Sequence, residues 1–135
     1  MKVVVFIDGL AEPSNPGTGT YGYIIYEGKQ KLASDSGLAG RNVTNNFAEY
    51  SALVMALRRL KSLGILDGVT VKSDSKLLVG QMSQGWKVKR GGYIEKYREA
   101  RELLKEFGLV KFEWIPREEN SEADILSRIA YSRYE

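Results

Sequence analysis

The chain has 135 residues, of which 43% are hydrophobic and 27% charged, and these values predict one soluble globular domain with a single core. It contains no cysteine and no histidine, which excludes disulfides, thiolate catalysis, thiolate-bound zinc and every histidine-based triad. Any chemistry must therefore use carboxylates, Lys, Tyr, Ser or a bound metal. The formal net charge of +3 mildly favours a polyanionic partner.

The same composition bears on location. The absence of cysteine fits a reducing compartment, and the sequence shows no signal peptide, repeat or apolar stretch long enough to cross a bilayer. We therefore expect a cytoplasmic protein whose residues 1–135 form one domain, with no membrane contact and no obligate protein partner.

Apolar residues occupy both alternating faces of residues 3–7, which predicts a central strand followed by a Gly/Pro/Asn-rich loop at 8–19. A hairpin turn is expected at 27–29. Thr44, Asn45 and Asn46 are N-cap candidates for a helix that ends at Gly64. In chain order, strands are predicted at 3–7, 20–26, 30–37, 69–73 and 109–115, and helices from the cap to 63, then at 75–82, 92–107 and 121–134.

This order, βββαβααβα, predicts an α/β fold with a five-stranded mixed sheet and helices on both faces. An antiparallel meander comes first, and right-handed helical crossovers then lead to parallel strands. If the first and fourth strands are neighbours, their carboxyl ends bring Asp8 and Asp74 together. Ligands of open α/β sheets bind at that edge.

Four scattered acids stand out: Asp8, Glu49, Asp74 and Asp124. Three of them have a structural alternative, since Asp8 could form a turn, Asp74 could cap the next helix, and Asp124 fits a capping box with Ser121. Glu49 instead shares the apolar stripe of its helix, which faces the core. Carboxylates brought together by a fold repel one another unless cations neutralise them. The set therefore predicts a hard-metal site.

Four motifs stand in this order: VFIDG at 5–9 with NPG at 15–17, TNNFAE at 44–49, SDS at 73–75, and NSEAD at 120–124. With these motifs the chain resembles type 1 ribonuclease H over nearly its full length. The resemblance implies the ribonuclease H-like three-layer fold and cleavage of the RNA strand of an RNA–DNA hybrid, leaving 5′-phosphate and 3′-hydroxyl ends.

The resemblance also implies two Mg²⁺ ions, with Mn²⁺ as an alternative ion. Asp8 would bridge the two ions, and Glu49, Asp74 and Asp124 would complete the site. Such a mechanism needs no histidine. Three alternatives stay open: cleavage of double-stranded RNA as well, a non-catalytic nucleic-acid-binding module of the same fold, and a structural α/β domain whose acids are helix caps.

Several residues match substrate-contact positions of the family. Asn15, Asn45 and Asn46 match positions that touch the sugar–phosphate backbones, and Thr44 matches one that helps to hold a DNA-strand phosphate. Asn side chains both donate and accept hydrogen bonds, which suits recognition of a ribose 2′-hydroxyl. The alternative is that all four serve loop and helix-cap geometry.

The sequence departs from the family at the loop before the last acid, where many members carry a mobile histidine. Here the loop reads PREE at 116–119. Glu118 could take a related role by carrying protons or metal, and Arg117 by contacting phosphate. The alternative is an ordinary charged surface loop.

A second departure is the segment GWKVKRGG at 85–92, which resembles a shortened remnant of the basic protrusion that grips substrate in some members. Trp86, Lys87, Lys89 and Arg90 could bind phosphates and sugar edges there. Alternatively, Trp86 belongs to the core and the charges are solvated. A reduced protrusion predicts weaker, more salt-sensitive binding.

Overall fold

The computed structural model describes residues 2–88 and 90–135. Within these ranges the elements are β1 (Val3–Glu12), β2 (Gly17–Glu27), β3 (Gln30–Val43), α1 (Asn45–Ser62), β4 (Val69–Ser73), α2 (Lys76–Ser83), α3 (Ile94–Leu104), β5 (Val110–Trp114) and α4 (Ser121–Tyr134), with a short 3₁₀ helix at Arg117–Glu119. Among the helices of this described part of the chain, none combines the length and apolar character needed to cross a bilayer.

The five strands form one mixed sheet in the order β3-β2-β1-β4-β5. The meander β1-β2-β3 is antiparallel, whereas β4 pairs with β1 and β5 with β4 in parallel. The predicted fold class is therefore confirmed. The pairing of β1 with β4 ends at Phe6 and Lys72. Asp8 and Asp74 each lie two residues further on, so the two acids stand at the same level of the sheet.

Helices cover both faces of the sheet, and two glycines allow the close approach. A Cβ atom on Gly9 would lie 2.3 Å from the backbone carbon of Ala48 in α1. On the neighbouring strand, a Cβ on Gly22 would lie 2.7 Å from the carbonyl oxygen of Ala123 in α4. Because side chains alternate between faces along a strand, α1 and α4 press on opposite sides of the sheet beside Asp8.

The main core lies between the sheet and α1. Tyr50, Leu53, Leu57 and Leu60 of this helix are fully buried. Their spacing is that of one helix face, which packs against the apolar residues of β1, β2 and β4. The helix begins as predicted, because the Thr44 hydroxyl accepts a hydrogen bond from the Phe47 amide at 3.1 Å. This packing holds the start of α1 against the carboxyl edge of the sheet.

The predicted helix at 92–107 is shorter in the structure, at Ile94–Leu104, and larger boundary errors lie in the antiparallel meander. The loop expected at 8–19 is largely strand, because β1 continues to Glu12 by pairing with β2 after its pairing with β4 has ended. Strand β3 continues to Val43 rather than ending at 37, through a register with bulges next to Gly17 and Gly19. Both extensions belong to an antiparallel ribbon in which glycine and polar residues can pair. Asp8 therefore lies inside a strand and not in the turn that the sequence alternative required.

Candidate active site

Four elements bring the four acids to one edge of the sheet. Asp8 lies in β1, Asp74 follows β4, Glu49 lies near the start of α1, and Asp124 is in the first turn of α4. Carboxylate oxygens of Asp8, Glu49 and Asp74 all lie within 4.8 Å of one another. Asp8 is 5% exposed and Glu49 is 8% exposed, so two of these three carboxylates are almost removed from water.

The acids line a cleft of about 450 Å³. Asn45, Trp114, Arg117 and Arg128 contribute to its walls, as does a second part of β1 from Gly9 to Glu12. The cleft therefore combines a carboxylate cluster with two cationic side chains at its rim. This arrangement can hold cations at its base and receive a phosphate group above them.

The cluster resists full ionisation when no cation is bound. Burial, followed by the negative charge of Asp74 and a hydrogen bond with Asp124, raises the pKa of Asp8 to about 8. Burial and then the charges of Asp8 and Asp74 raise the pKa of Glu49 well above its usual range. Burial also raises the pKa of Asp74, although a hydrogen bond from Asn120 and the charge of Arg117 act in the opposite direction.

One hydrogen-bond acceptor in the cluster has no partner among the described residues. Glu49 Oε2 is buried and accepts no hydrogen bond from any described residue. An unsatisfied buried carboxylate oxygen is costly, and a bound cation removes the cost. Carboxylate oxygens are also the donors that hard divalent cations prefer. The residues present therefore fit a divalent metal.

The capping alternatives for Asp74 and Asp124 are wrong. Helix α2 is capped by Ser75, whose hydroxyl accepts a hydrogen bond from the Leu78 amide at 3.2 Å. Helix α4 has Asn120 at its cap position, so Ser121 is already helical and forms no capping box with Asp124. Neither acid is therefore needed to begin its helix, which leaves both carboxylates available to the cleft.

Two polar residues near the acids, Arg128 and Ser127, were missed by sequence reasoning, and Asn120 was noted only as the first residue of a motif. Arg128 Nε lies 3.2 Å from both carboxylate oxygens of Asp124. The buried Ser127 hydroxyl lies 3.5 Å from Asp8 Oδ2, and Asn120 Nδ2 donates to the Ile7 carbonyl at 2.8 Å. The available signal was spacing, because Arg128 stands one helical turn after Asp124. Asn120 opens the NSEAD motif and ties α4 to β1.

The comparisons with known proteins agree on one family. The family model described as "Reverse transcriptase-like" matches residues 7–130. Ribonuclease H of Syntrophus aciditrophicus is 32% identical over 147 residues, covering 98% of this chain and 82% of that protein. The chain belongs to the type 1 ribonuclease H family. The resemblance inferred from the four motifs is therefore confirmed.

Solved structures of ribonuclease H proteins superpose closely on this chain. RNase H1 of Halobacterium salinarum is 32% identical with a TM-score of 0.89, and the match covers 98% of this chain and 99% of that one. LC11-RNase H1 from compost, solved in complex with an RNA/DNA hybrid, is 34% identical with a TM-score of 0.90 and the same coverage.

A bifunctional protein of Mycobacterium tuberculosis is 39% identical over 132 residues, which is 96% of this chain but 35% of that protein. The chain thus spans about a third of the length of the mycobacterial relatives that it matches. The N-terminal RNase H domain of the M. tuberculosis protein, solved as a maltose-binding-protein fusion, has a TM-score of 0.89 at 37% identity, covering 98% of this chain and 94% of that one.

In this chain, the residues matched to substrate contacts of the family flank the start of α1. Asn15 Nδ2 donates to Asn45 Oδ1 at 2.8 Å, and the backbone N–H of Asn45 donates to Asn15 Oδ1 at 3.0 Å. The Thr44 hydroxyl serves the helix cap. Both exposed asparagines therefore have a structural role, and Asn46 alone of the set faces a separate groove. Their contacts with substrate stay a prediction.

The loop that replaces the family histidine divides into two parts. Arg117 lines the acidic cleft, and its positive charge acts to lower the pKa of Asp74. Glu118 is exposed on the 3₁₀ helix and is not among the residues that line the cleft. The structure thus brings Arg117, but not Glu118, to the acids.

The segment at 85–92 forms the wall of a second groove of about 430 Å³. Trp86, Lys87 and Arg90 line this basic groove together with Asn46. Trp86 is 47% exposed, so the interpretation of this residue as core is wrong. Lys89, the remaining predicted contact, lies outside the described residues.

Proposed function

We propose that residues 1–135 form one ribonuclease H domain that hydrolyses the RNA strand of RNA–DNA hybrids, leaving 5′-phosphate and 3′-hydroxyl ends. The observation that carries the proposal is the meeting of three buried or half-buried carboxylates within 4.8 Å at the carboxyl edge of the sheet. Membership of the family supports it, as does the relative solved with an RNA/DNA hybrid. Such a cluster, with bound metal, allows phosphodiester chemistry in a chain that has no histidine.

Mg²⁺, with Mn²⁺ as an alternative, is the proposed cofactor, at two ions per site. Asp8, Glu49, Asp74 and Asp124 would hold these ions. The fit rests on an all-oxygen donor set and on the unpartnered oxygen of Glu49. When bound, the ions supply an activated water and stabilise the departing 3′ oxygen.

The surrounding residues would position the two strands. Arg117, at the rim of the cleft, can neutralise a phosphate oxygen of the RNA strand. Asn15 and Asn45, held by their mutual hydrogen bonds, present fixed amides to a backbone at the start of α1. Lys87 and Arg90 would contact phosphates of the second strand in the basic groove. Glu118, exposed beside Arg117, would carry protons between the cleft and solvent.

Cleavage of matched duplexes tests the proposal. The substrates are 5′-labelled RNA–DNA hybrid, RNA–RNA duplex and DNA duplex, each with Mg²⁺ and with EDTA. We expect Mg²⁺-dependent cutting of the RNA strand of the hybrid and a rate loss of more than about 100-fold in Asp8→Asn, because a carboxylate that would hold the metal is removed. Asp35→Asn, which changes an exposed acid of β3, is the matched control.

The other outcomes separate the alternatives. Cutting of both RNA-containing duplexes would mean that the enzyme reads A-form shape more than strand identity. Binding of hybrid without cleavage of any duplex would contradict the proposal and leave a nucleic-acid-binding module. Equal activity in wild type and Asp8→Asn would remove the acid cluster from the mechanism.

A further inference from the structure

The two tryptophans of the chain flank one groove outside the acidic cleft. Trp86 is 47% exposed and Trp114 is 43% exposed, although large aromatic side chains are normally buried. The groove between them runs over α2 and has a volume of about 230 Å³. Its floor and edge come from Lys76, Val79 and Gly80. We call this site the α2 groove.

Trp114 is held in place where the α2 groove meets the acidic cleft. Its Nε1 donates to the carbonyl oxygen of Asp74 at 3.1 Å, so the indole is tied to the backbone of a cluster acid. Lys76 Nζ lies 5.1 Å from the centre of the Trp114 ring, within cation–π range. The same tryptophan lines both the cleft and the α2 groove. The groove is therefore a continuation of the cleft around Trp114.

Trp86 forms the opposite wall and is equally constrained. Its ring lies over Gly80, where a Cβ atom would come within 2.1 Å of the indole. Its backbone amide donates to the Gly80 carbonyl at 3.1 Å. Trp86 also lines the basic groove that contains Lys87 and Arg90. The absence of a side chain at Gly80 thus lets an exposed indole lie flat on α2.

We propose that the α2 groove binds unpaired nucleotides that extend the RNA strand beyond the hybrid. Bases would stack on Trp86 and Trp114, and the Lys76 ammonium would contact a phosphate between them. Exposed aromatic faces combined with a cation are the usual platform for single-stranded nucleic acid, and stacking tolerates any base sequence. The RNA strand is the occupant because the groove opens from the cleft that holds the acids. This inference rests on the proposed function, because it assumes that the acidic cleft holds the RNA strand of a hybrid.

Tryptophan fluorescence tests this proposal without any cleavage, because both fluorophores lie in the α2 groove. Wild-type protein in EDTA is titrated with a 12-nucleotide single-stranded RNA. We expect quenching that persists in Trp86→Phe and in Trp114→Phe, each of which leaves a single indole. Affinity for a dye-labelled RNA should fall by about 5-fold or more in Trp114→Ala, since stacking on an indole is lost.

Lys76→Ala provides a second variant at an exposed position that does not endanger folding. We expect weaker binding of the single strand and a salt dependence reduced by about one phosphate contact. Lys29→Ala removes an exposed lysine in the β2–β3 turn and serves as the control. Equal affinity in Lys76→Ala and Lys29→Ala would overturn the proposal even if fluorescence is quenched, because Trp86 also lines the basic groove and Trp114 the acidic cleft.

Kinetics on tailed substrates connect the groove with turnover. A blunt hybrid is compared with hybrids whose RNA strand carries six unpaired nucleotides at the 5′ or the 3′ end. We expect one tailed substrate to show a KM at least threefold lower than the blunt hybrid, and Lys76→Ala to reduce this ratio. If the blunt hybrid is cut but neither tail lowers KM, the groove proposal fails alone. If the blunt hybrid is not cut at all while RNA still quenches fluorescence, only the proposed function fails.

Discussion

The burial of the Glu49 carboxylate costs free energy, and packing alone does not explain why an acid stands at this position. It lies on the buried stripe of α1, among Ala52, Leu53 and Ala56, yet one of its oxygens accepts no hydrogen bond from a described residue. Helix formation does not require an acid at this position, since Thr44 caps the helix. The free energy lost by burying this carboxylate must therefore be recovered by a ligand, which is the physical basis for placing a cation beside it.

Glu49→Gln measures that cost. The amide keeps the shape of the side chain but carries no charge, so in EDTA at pH 8 the variant should be more stable than wild type by about 1–3 kcal/mol. This corresponds to a rise in Tm of several degrees, at about 3–5 °C per kcal/mol. The Mg²⁺-induced rise in Tm that we expect for wild type should shrink at the same time.

The matched control is Glu113→Gln, which neutralises an exposed acid of β5. It should leave both the Tm in EDTA and the response to Mg²⁺ nearly unchanged, because surface charges contribute little to stability. Scanning calorimetry of wild type, Glu49→Gln and Glu113→Gln, each in EDTA and in Mg²⁺, measures these differences in Tm. A Glu49→Gln variant with the full Mg²⁺ response would show that this carboxylate does not hold the ion.

At the scale of elements, a buried polar network joins α1, α2 and the residue before α3. Gln81 accepts a hydrogen bond from the Tyr50 hydroxyl at 2.5 Å and donates to the Tyr93 hydroxyl at 3.0 Å. It also donates to the carbonyl oxygen of Lys87 at 3.2 Å. Arg101 donates to the Gln81 carbonyl at 3.0 Å. The Gln81 side chain thus anchors the basic segment, residues 85–92, to the core.

Gln81→Leu should break this anchor. The tyrosine hydroxyls and the Lys87 carbonyl lose a buried partner, so we expect a loss of about 1–3 kcal/mol of stability. Urea denaturation would show this as a lower midpoint with an unchanged slope. KM for hybrid should rise severalfold with a smaller change in kcat, because the basic groove is displaced while the acids are not.

Gln30→Leu replaces the same side chain at an exposed site and is the control for Gln81→Leu. It should alter neither the urea midpoint nor KM. Loss of stability in Gln81→Leu with an unchanged KM would show that the network serves the core but not the basic segment.

What the sequence could predict differs between elements for a physical reason. The strand at 69–73 and the helix capped by Thr44 have strong local sequence patterns, and their predicted bounds match the structure closely. The extensions of β1 to Glu12 and of β3 to Val43 depend on pairing with β2, and glycine and polar residues there carry no strand pattern. Likewise, the four acids were visible in the sequence, and so was the one-turn spacing of Arg128 and Asp124, whereas the approach of Ser127 to Asp8 depends on how α4 packs against β1.

At the scale of the whole molecule, one topological relation creates the site. The parallel register of β1 and β4 places Asp8 level with Asp74. Helices on opposite faces then add Glu49 from one side and Asp124 from the other. The protein has a net charge of +3, yet its cleft concentrates negative charge. A basic surface can attract a polyanion, while the local cluster admits its phosphates only together with cations.

This concentration of charge predicts how metal-free stability depends on pH. The pKa of Asp8 is raised from 3.8 to about 8 in the folded protein. The folded state therefore holds the proton more tightly than the unfolded state, and the resulting stability is complete below the unfolded pKa. It is lost as pH rises toward 8, by at most about 1.4 kcal/mol per pH unit for each proton released. Tm in EDTA should accordingly fall between pH 5 and 8.

Mg²⁺ should oppose this decline, because cations replace the lost protons among the same carboxylates. Asp8→Asn should make the pH dependence in EDTA shallower, since one of the three carboxyl groups with a raised pKa is gone and its charge no longer raises the pKa of Glu49. Thermal unfolding of both proteins at half-unit intervals from pH 5 to 8.5, with and without Mg²⁺, measures the effect. An equally steep decline in Asp8→Asn would place the responsible proton elsewhere. A decline confined to wild type would establish that the cluster is strained without cations and that metal binding and folding stabilise each other.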